Sequence, residues 1–283
     1  MRIGAHVSSA GGPAAAFGRI AAIEGEALQL FISAPQQWKP PSLSDEQVHA
    51  FLAARATAGI PAFFHGVYLM NFGSQDPALL NRSVASLRSY LHWAGELGVV
   101  GTIFHVGSHL GAGFDAVLPQ ICSRIREAMD GAPNGSRVIL ENNAGQGNCV
   151  GRTFAELGAI FRGLDNDPRL AVCIDTCHAF AMGYDLSTRE GCELAMEELD
   201  REVGLDRIVA VHANDSKMPL GGVRDRHENI GEGHIGLEGF RTLMAHRAFA
   251  DVPFLLEVPG FEGDGPDLEN INRLKRIRDE LKS

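Results

Sequence analysis

The chain has 283 residues, of which 45% are hydrophobic, and its formal net charge at pH 7 is −10. This length and apolar content suffice for one large core and exclude an intrinsically disordered chain. No apolar run approaches the roughly 20 residues of a membrane span, so we expect no membrane partner. Five cysteines, an odd number without a Cys-x-x-Cys pair, and an N-terminus without a signal sequence favour free thiols and a cytoplasmic location.

Eight short apolar segments along the chain have the character of β-strands. Continuous apolar runs such as RLAVCID and DVPFLLEV are typical of parallel strands that are buried on both faces. The predicted strands cover residues 3–7, 27–32, 61–65, 102–106, 138–141, 170–175, 208–212 and 253–258.

Polar or amphipathic segments long enough for helices separate most of these strands. We predict helices over residues 44–59, 77–97, 114–129, 153–163, 188–203, 237–246 and 267–281. Strand alternating with helix in a chain of this length favours one α/β barrel over two domains. The sequence therefore predicts a single (β/α)8 TIM barrel that spans residues 1–283 as one domain.

Six predicted strands end at or near a side chain that can bind a metal ion. These side chains are His65, His105, Glu141, Asp175, His212 and Glu257. The carboxyl ends of barrel strands form one face, so we expect the six to meet there. The longest irregular segments, 33–43, 107–113, 141–152, 176–186 and 213–236, also follow strands. Imidazole and carboxylate together suit Zn, Mn or Fe.

Two further patches add residues of the same type. In CIDTCHA, His178 follows Asp175 by three residues, so a loop there would direct both side chains at neighbouring metals. In RDRHENIGEG, Asp225 and His227 alternate with two arginines. In an extended segment the two ligand-type residues lie on one side and the arginines on the other, where they can meet phosphate.

Seven segments, in order and across nearly the whole chain, resemble the endonuclease IV family of apurinic/apyrimidinic endonucleases, the deoxyribonuclease IV type of phosphoric-diester hydrolase. They are GAHVSSAGG, FFHGVYLMNFGS, FHVGSHLG, LENNAGQGN, CIDTCHAFAMGYD, VHANDSKMPLGGVRDRHENIGEGHIG and LLEVPG. The resemblance implies a catalytic barrel of the xylose-isomerase-like superfamily. It also implies hydrolysis of the phosphodiester 5′ to abasic sites in double-stranded DNA during base excision repair, leaving a 3′-hydroxyl and a 5′-deoxyribose phosphate.

The resemblance also implies 3′-end repair activity, action as a monomer without an obligate protein partner, and three metal ions per chain. The ions are usually Zn²⁺, with Mn²⁺ as an alternative at one or more positions. Glu141 is expected to bridge two ions and, with Glu257, to orient or deprotonate the attacking water. Carried onto this sequence, the first ion takes His65 and His105, the second takes Asp175, His212 and Glu257, and the third takes His178, Asp225 and His227.

The DNA contacts are the part of the sequence that departs from the family pattern. Family members insert side chains into the minor groove from the loops after the second and third strands. Tyr68 and Leu69 match the third loop, and Trp38 is retained in the second, but Gln36 stands where an arginine is common. This difference affects how the base stack is penetrated. Further expected phosphate contacts are His6, Lys217 and Arg226.

The negative net charge does not exclude a DNA substrate. Four of the acidic residues are expected metal ligands, and three divalent ions would exceed their charge by two, so attraction to phosphate would be local to the site. One alternative is a single-metal sugar isomerase or epimerase on the same barrel, which needs only four carboxyl-end ligands and leaves the other five unexplained. Another is a DNA-binding relative without catalysis, which requires a broken ligand set, and none is broken.

Overall fold

Eight parallel strands form a closed barrel in the computed structural model, which describes residues 1–133 and 135–282. The barrel strands pair in the order β1, β2, β3, β4, β5, β6, β7, β10 and back to β1. The predicted TIM barrel is confirmed, and every predicted strand is present with ends that differ by at most two residues. The strands are β1 (Ile3–His6), β2 (Leu28–Leu30), β3 (Ala62–His65), β4 (Gly101–Phe104), β5 (Arg137–Glu141), β6 (Leu170–Asp175), β7 (Ile208–His212), β8 (Asp215–Ser216), β9 (His227–Glu228) and β10 (Phe254–Leu256).

Helices follow most barrel strands, and their apolar faces share one large core with the outward side chains of the strands. Leu28 and Phe104 from the barrel, for example, lie in one apolar cluster with Leu87 from a helix. The helices are α1 (Ala15–Ala22), α2 (Asp45–Ala58), α3 (Pro77–Leu97), α4 (Phe114–Met129), α5 (Phe154–Gly163), α6 (Thr176–Ala181), α7 (Arg189–Glu202), α8 (Gly236–Ala245) and α9 (Leu268–Glu280), with 3₁₀ turns at Leu205–Arg207 and Arg247–Phe249.

Two α-helices and one pair of strands were not predicted from the sequence. Helix α1 is only eight residues long and its N-cap makes no side-chain hydrogen bond, so its sequence lacks a start signal. Helix α6 occupies part of the segment predicted to be irregular after Asp175. The long segment 213–236 was also predicted to be irregular, but it contains the antiparallel pair β8 and β9. No helix in the described ranges is long and apolar enough to cross a membrane.

Side chains at alternate positions along the barrel strands face the barrel interior, as the two-residue period of a strand requires. An apolar layer fills the middle of the barrel with Ala27, Phe63, Ile103, Ile139, Ala171, Cys173, Ala210 and Leu255. Beyond this layer, each barrel strand carries a polar side chain at its last residue or within one residue of it. We call this set the polar ring: His6, Gln29, His65, His105, Glu141, Asp175, His212 and Glu257.

Gly4 is required because β1 and β2 approach each other closely beneath the polar ring. A Cβ atom at this position would lie 2.0 Å from the carbonyl oxygen of Ala27.

We expect Gly4→Ala to lower the free energy of unfolding by about 1–3 kcal/mol, because the clash is with backbone. Urea denaturation would measure it. Gly18→Ala in α1 is the matched control: its added Cβ meets nothing within 4 Å, and a gain of about 0.5–1 kcal/mol is expected. Equal effects at the two positions would contradict the steric argument.

Candidate metal centre

The polar ring and two neighbouring segments bring all nine predicted metal ligands together at one end of the barrel. Their ligand atoms fall into three groups, and the atoms within each group lie within 4.8 Å of one another. Glu141 belongs to two groups and therefore lies between them. The groups are His65, His105 and Glu141; Glu141, Asp175, His212 and Glu257; and His178, Asp225 and His227. A fourth group at this spacing, Asp175, Cys177 and His227, adds a cysteine and shares one member with each of the second and third groups.

His178 reaches the centre from helix α6, which corrects the expectation of a loop. Asp175 ends β6 and caps the helix, because its Oδ1 accepts a hydrogen bond from the backbone N–H of His178 at 2.8 Å. Its other oxygen, Oδ2, accepts from the side-chain amide of Asn214 at 2.7 Å. A carboxylate at a helix N-cap is stabilised by the free N–H groups there. Asp175 therefore builds the element that positions the next ligand.

The β8–β9 hairpin carries His227 and places Asp225 beside it. His227 pairs with Ser216 across the hairpin. The buried carboxylate of Asp215 accepts hydrogen bonds from the backbone N–H groups of residues 216, 231, 233, 235 and 236, which fixes the loop that follows the hairpin. Arg224 and Arg226 are exposed while the two ligand-type side chains face the centre. This arrangement matches the alternation predicted from the sequence.

The histidines are oriented as metal ligands are, with one ring nitrogen facing a carbonyl oxygen and the other facing carboxylates. The Nδ1–H of His65 donates to the carbonyl of Gly66 at 2.8 Å, and its Nε2 lies 3.2 Å from Glu141. The Nδ1–H of His178 donates to the carbonyl of Asn142 at 3.0 Å, and its Nε2 lies 3.2 Å from Asp225. In both rings the neutral tautomer set by the carbonyl leaves a lone pair directed at a carboxylate.

The same pattern holds for a further ring and leaves buried atoms that call for a cation. His212 donates through Nε2–H to the side-chain carbonyl of Gln29 at 2.8 Å, and its Nδ1 lies 2.8 Å from Glu141. Among the described residues, the buried nitrogens His105 Nδ1, His178 Nε2 and His227 Nε2 have no hydrogen-bond partner, and His105 directs its other nitrogen, Nε2, at Glu141 at 3.4 Å. The His178 and His227 nitrogens lie 3.2 and 3.1 Å from Asp225 oxygens without hydrogen-bond geometry. Lone pairs facing carboxylates at such distances fit divalent ions between them.

Burial and neighbouring charges shift the pKa values of the acids and bases in the centre in different directions. Burial opposes ionisation of Glu141, but His105 and His212 outweigh it and hold its pKa well below the usual range. Burial lowers the pKa of His105 to about 4. Burial acts the same way on His178 and His227, yet nearby Asp175 and Asp225 raise their pKa values to about 10 and about 9. Protons on these two rings therefore offset the carboxylate charge when no metal is bound.

Three buried carboxamides that the sequence analysis missed hold the ligands in place. Asn142 bonds both backbone groups of Asp175, donating to its carbonyl at 3.0 Å and accepting from its N–H at 2.7 Å. Asn214 donates to the Asp175 carboxylate and accepts from the N–H of Glu257 at 2.8 Å. Gln29 is the member of the polar ring contributed by β2. The sequence contained a signal for Gln29, which follows Ala27 by two residues. Each of the other seven barrel strands has a histidine, aspartate or glutamate at the corresponding position.

The residues predicted to contact DNA surround the centre on the same face but differ in exposure. Tyr68 is 57% exposed and packs edge-to-face on Phe31, and its backbone N–H donates to the carbonyl of Pro35 at 3.1 Å. The loop after β3 is thus joined to the loop after β2. Gln36 is exposed, whereas Leu69 and Trp38 are half-buried and pack against the core.

The three predicted phosphate contacts are placed at different distances from the ligands. His6 lies against Glu257, with 3.3 Å between its Nδ1 and the carboxylate. Arg226 is exposed and donates to the backbone carbonyl of Asp225 at 2.6 Å, so its guanidinium stays outside the centre. The ammonium of Lys217 lies 3.7 Å from the Glu228 carboxylate on the hairpin.

A cavity of about 250 Å³ opens directly beside the centre. It is lined by His6, Phe31, Tyr68, His227 and Glu257, together with residues 258, 265 and 266. A larger cavity of about 850 Å³ lies at the opposite end of the barrel and contains no member of the polar ring. Ligand sites on such barrels form at the carboxyl ends of the strands, so a substrate group would enter at the end that holds the smaller cavity. A further cavity of about 290 Å³ at this end shares His6 and Phe31 with it.

Comparisons with known proteins agree with the fold and show the family. The Xylose isomerase-like TIM barrel family matches residues 17–282. A probable endonuclease 4 from Streptomyces avermitilis is 40% identical over 284 residues, covering 98% of this chain and 90% of that protein. The crystal structure of endonuclease IV from Thermus thermophilus superimposes with a TM-score of 0.87 at 35% identity, covering 99% of this chain and all of that one.

The barrel and its clustered histidines and carboxylates define the class as a xylose isomerase-like TIM barrel with a multi-metal type of centre. Within that class, the chain belongs to the endonuclease IV family. A D-tagatose 3-epimerase-like protein has a TM-score of 0.72 at 20% identity, and this likeness shows a shared fold alone. The predicted family is confirmed, and the sugar epimerases share only its architecture.

Metal binding to the metal-free protein should release protons. At pH 7, His178 and His227 are protonated because their raised pKa values, about 10 and about 9, lie above the solution pH. An imidazole must be neutral to bind metal, so filling this group should release about two protons, and its apparent affinity should rise by up to about 100-fold per pH unit near neutrality. Filling the second group should release about one more proton, because, despite burial, Cys173, Glu257 and Glu141 hold the pKa of His212 well above its usual range.

Calorimetric titration of Zn²⁺ into metal-free protein, in buffers of different ionisation enthalpy, would count these protons. His178→Gln is the control and should release about one proton fewer, because one protonated ring is removed. An enthalpy that does not depend on the buffer would contradict the charge arrangement described above.

Proposed function

We propose that this chain incises duplex DNA on the 5′ side of abasic sites with three zinc ions held by the nine clustered side chains. The observation that carries the proposal is the shared position of Glu141 between two of the three ligand groups. As a member of the endonuclease IV family, the chain is an apurinic/apyrimidinic endonuclease, a phosphodiester hydrolase of base excision repair. The product ends are a 3′-hydroxyl and a 5′-deoxyribose phosphate, and cleaning of blocked 3′ ends is a related activity of the same centre.

Each of the three ligand groups is assigned one metal ion. The first ion takes His65, His105 and Glu141, and the second takes Glu141, Asp175, His212 and Glu257. The third takes His178, Asp225 and His227. This assignment is supported by the ligand-atom distances and the outward hydrogen bonds of the rings. Nitrogen and oxygen donors suit Zn²⁺, and Mn²⁺ is the alternative. When bound, the ions neutralise phosphate charge and activate the attacking water.

Glu257 is the carboxylate best placed to orient that water and take its proton. Its side chain is 16% exposed and lines the cavity beside the centre, whereas the Glu141 side chain is 1% exposed. Burial opposes ionisation, but His212 and His6 outweigh it and keep the pKa of Glu257 below the usual range, so the group is a carboxylate at neutral pH. Glu141 then has the bridging role and fixes the spacing of two ions.

The DNA contacts follow from exposure on the same face. Tyr68 is the wedge that enters the minor groove, because an exposed aromatic ring held by Phe31 can replace a base in the stack. Leu69 and Trp38, which pack against the core, anchor the two loops, while Gln36 faces the duplex. His6, Lys217 and Arg226 bind phosphate. The electrostatic attraction is local to this face, because the whole chain is acidic.

The chain acts as one catalytic domain and as a monomer in a reducing cytoplasm. The closed barrel includes strands from both ends of the sequence, since β1 pairs with β10, which supports one folding unit. All five cysteines are free and buried, which supports a reducing compartment. The metal centre is assembled within one chain, so it needs no partner subunit.

Glu257→Gln should lower the rate of nicking by about 10²- to 10⁴-fold, because the proton acceptor is lost while an amide oxygen can still bind metal. The measurement is cleavage of a duplex with one abasic-site analogue, at matched metal content. Glu262→Gln is the control, an exposed carboxylate in the same loop, and should cleave normally.

Metal analysis of the same preparations separates the nuclease from the single-metal isomerase. About three ions per chain are expected for the nuclease and one for the isomerase. A near-normal rate for Glu257→Gln would remove that residue from the reaction. Protein with three ions that cleaves no abasic duplex would overturn the proposed substrate.

Tyr68→Ala should raise KM for abasic DNA by about 5- to 150-fold with a smaller effect on kcat, because stacking on a base contributes about 1–3 kcal/mol. Leu194→Ala is the control, since Leu194 is 60% exposed on α7, outside the strand-end loops. Steady-state nicking on intact and abasic duplexes would compare the variants. An unchanged KM would show that Tyr68 only anchors its loop.

A further inference from the structure

Gln29 is the one neutral amide in the polar ring, and it touches three other members of the ring. It is fully buried. Its Nε2 donates to Glu257 Oε1 at 2.6 Å and to His6 Nδ1 at 2.8 Å, and its Oε1 accepts from His212 Nε2–H at 2.8 Å. Both N–H donors and the carbonyl oxygen of the amide are therefore used inside the protein.

The partners allow only one orientation of this amide. If the amide were reversed, its oxygen would face the Glu257 carboxylate at 2.6 Å, and two acceptors would repel each other. The reversed NH₂ group would also face His212 Nε2, which would then have to be the unprotonated nitrogen. The His212 proton would move to Nδ1, which lies 2.8 Å from Glu141 and 3.3 Å from Glu257. That is the position at which a metal would have to bind.

We propose that Gln29 is a positioning residue that sets the proton arrangement of the second metal group, an inference that rests on the proposed function. By accepting from His212 Nε2–H it keeps the Nδ1 lone pair free for metal. By donating to Glu257 Oε1 it holds that oxygen away from the centre and leaves Oε2, 3.3 Å from His212 Nδ1, to face the metal. One buried amide thus fixes the tautomer of the ligand His212 and the orientation of Glu257, the carboxylate proposed to take the proton.

The same amide determines which nitrogen of His6 is available to the substrate. His6 Nδ1 accepts from Gln29, so the ring proton of neutral His6 lies on Nε2. His6 lines the cavity beside Glu257. Gln29 therefore presents an N–H donor of His6 to an incoming phosphate or sugar oxygen without touching DNA itself.

Two substitutions of similar volume separate the two functions of the amide. Gln29→Met removes both the acceptor for His212 and the donor to Glu257. Gln29→Glu keeps an acceptor for His212, and a carboxylate raises the basicity of a metal-bound imidazole, but it places two carboxylates against each other at Glu257. Thr102→Val is the control for a polar-to-apolar change in a barrel strand, since the buried Thr102 hydroxyl has no hydrogen-bond partner in the described part of the chain.

The first readout is the solvent exchange of the His212 Nε2 proton, measured by NMR of metal-loaded protein labelled with ¹⁵N-histidine. We expect slow exchange in the wild type, Gln29→Glu and Thr102→Val, and fast exchange in Gln29→Met. The second readout is metal retention against a chelator. In Gln29→Met, the affinity of the second group for its metal ion should fall about 10- to 100-fold, so one ion is lost to the chelator. In Gln29→Glu, this ion should be retained.

The third readout is the split between kcat and KM on abasic duplex. Both Gln29 variants should lower kcat by about 10- to 100-fold with a smaller increase in KM, because Gln29 holds Glu257 directly and affects only one of the proposed phosphate contacts, His6. If Gln29→Met keeps a slowly exchanging proton and full metal affinity, Gln29 only fills space and the inference is wrong.

The wild-type protein alone can also overturn the inference, which covers the case of a variant that does not fold. A rapidly exchanging His212 Nε2 proton, or a ring proton found on Nδ1, would exclude the proposed bond to Gln29. These signals and the metal affinity do not depend on DNA cleavage. Wild-type protein that binds metal but does not cleave abasic duplex would refute the proposed function, while the histidine signals would still decide the role of Gln29.

Discussion

The burial of carboxylates and imidazoles against one another at one end of the barrel is the constraint on which the rest of the centre depends. Glu141, Asp175 and His212 are almost inaccessible to water, and their ligand atoms lie within 4.8 Å of one another. Buried acids at this spacing are unfavourable unless cations or protons lie between them. The outward hydrogen bonds of the rings leave the inner nitrogens without protons in their neutral form. Divalent ions satisfy the carboxylates and the imidazoles together.

The barrel tolerates this concentration of charge because support for the centre is spread over many elements. Each strand contributes one side chain to the polar ring, above an apolar layer that closes the barrel interior. Buried carboxamides and Asp215 hold the ligands and the hairpin through hydrogen bonds. The centre is therefore held by rigid strands, with one short helix and one hairpin added for the third group. Such support preserves ligand spacing when DNA approaches.

An acidic chain that acts on DNA relies on local rather than overall attraction. The net charge of −10 disfavours binding to undamaged duplex, because phosphate contacts dominate affinity for nucleic acid. The exposed Arg224 and Arg226 place positive charge at one face, and bound metal ions would add to it. The cavity of about 250 Å³ beside Glu257 lies on that face, under the exposed ring of Tyr68. The positive charge and the cavity therefore lie on the same face, where a phosphodiester would have to bind.

The sequence by itself determined the eight barrel strands, most of the helices and the nine ligand-type residues, because apolar periodicity and the chemistry of strand ends are local properties. His65 and Glu141 were recognisable for that reason. Only the tertiary structure decided that His178 lies on a helix and which nitrogen of each ring faces inward. It also revealed Gln29, whose partner His212 is 183 residues away. Proton positions depend on such distant partners, and pairing between distant residues is created only when the barrel closes.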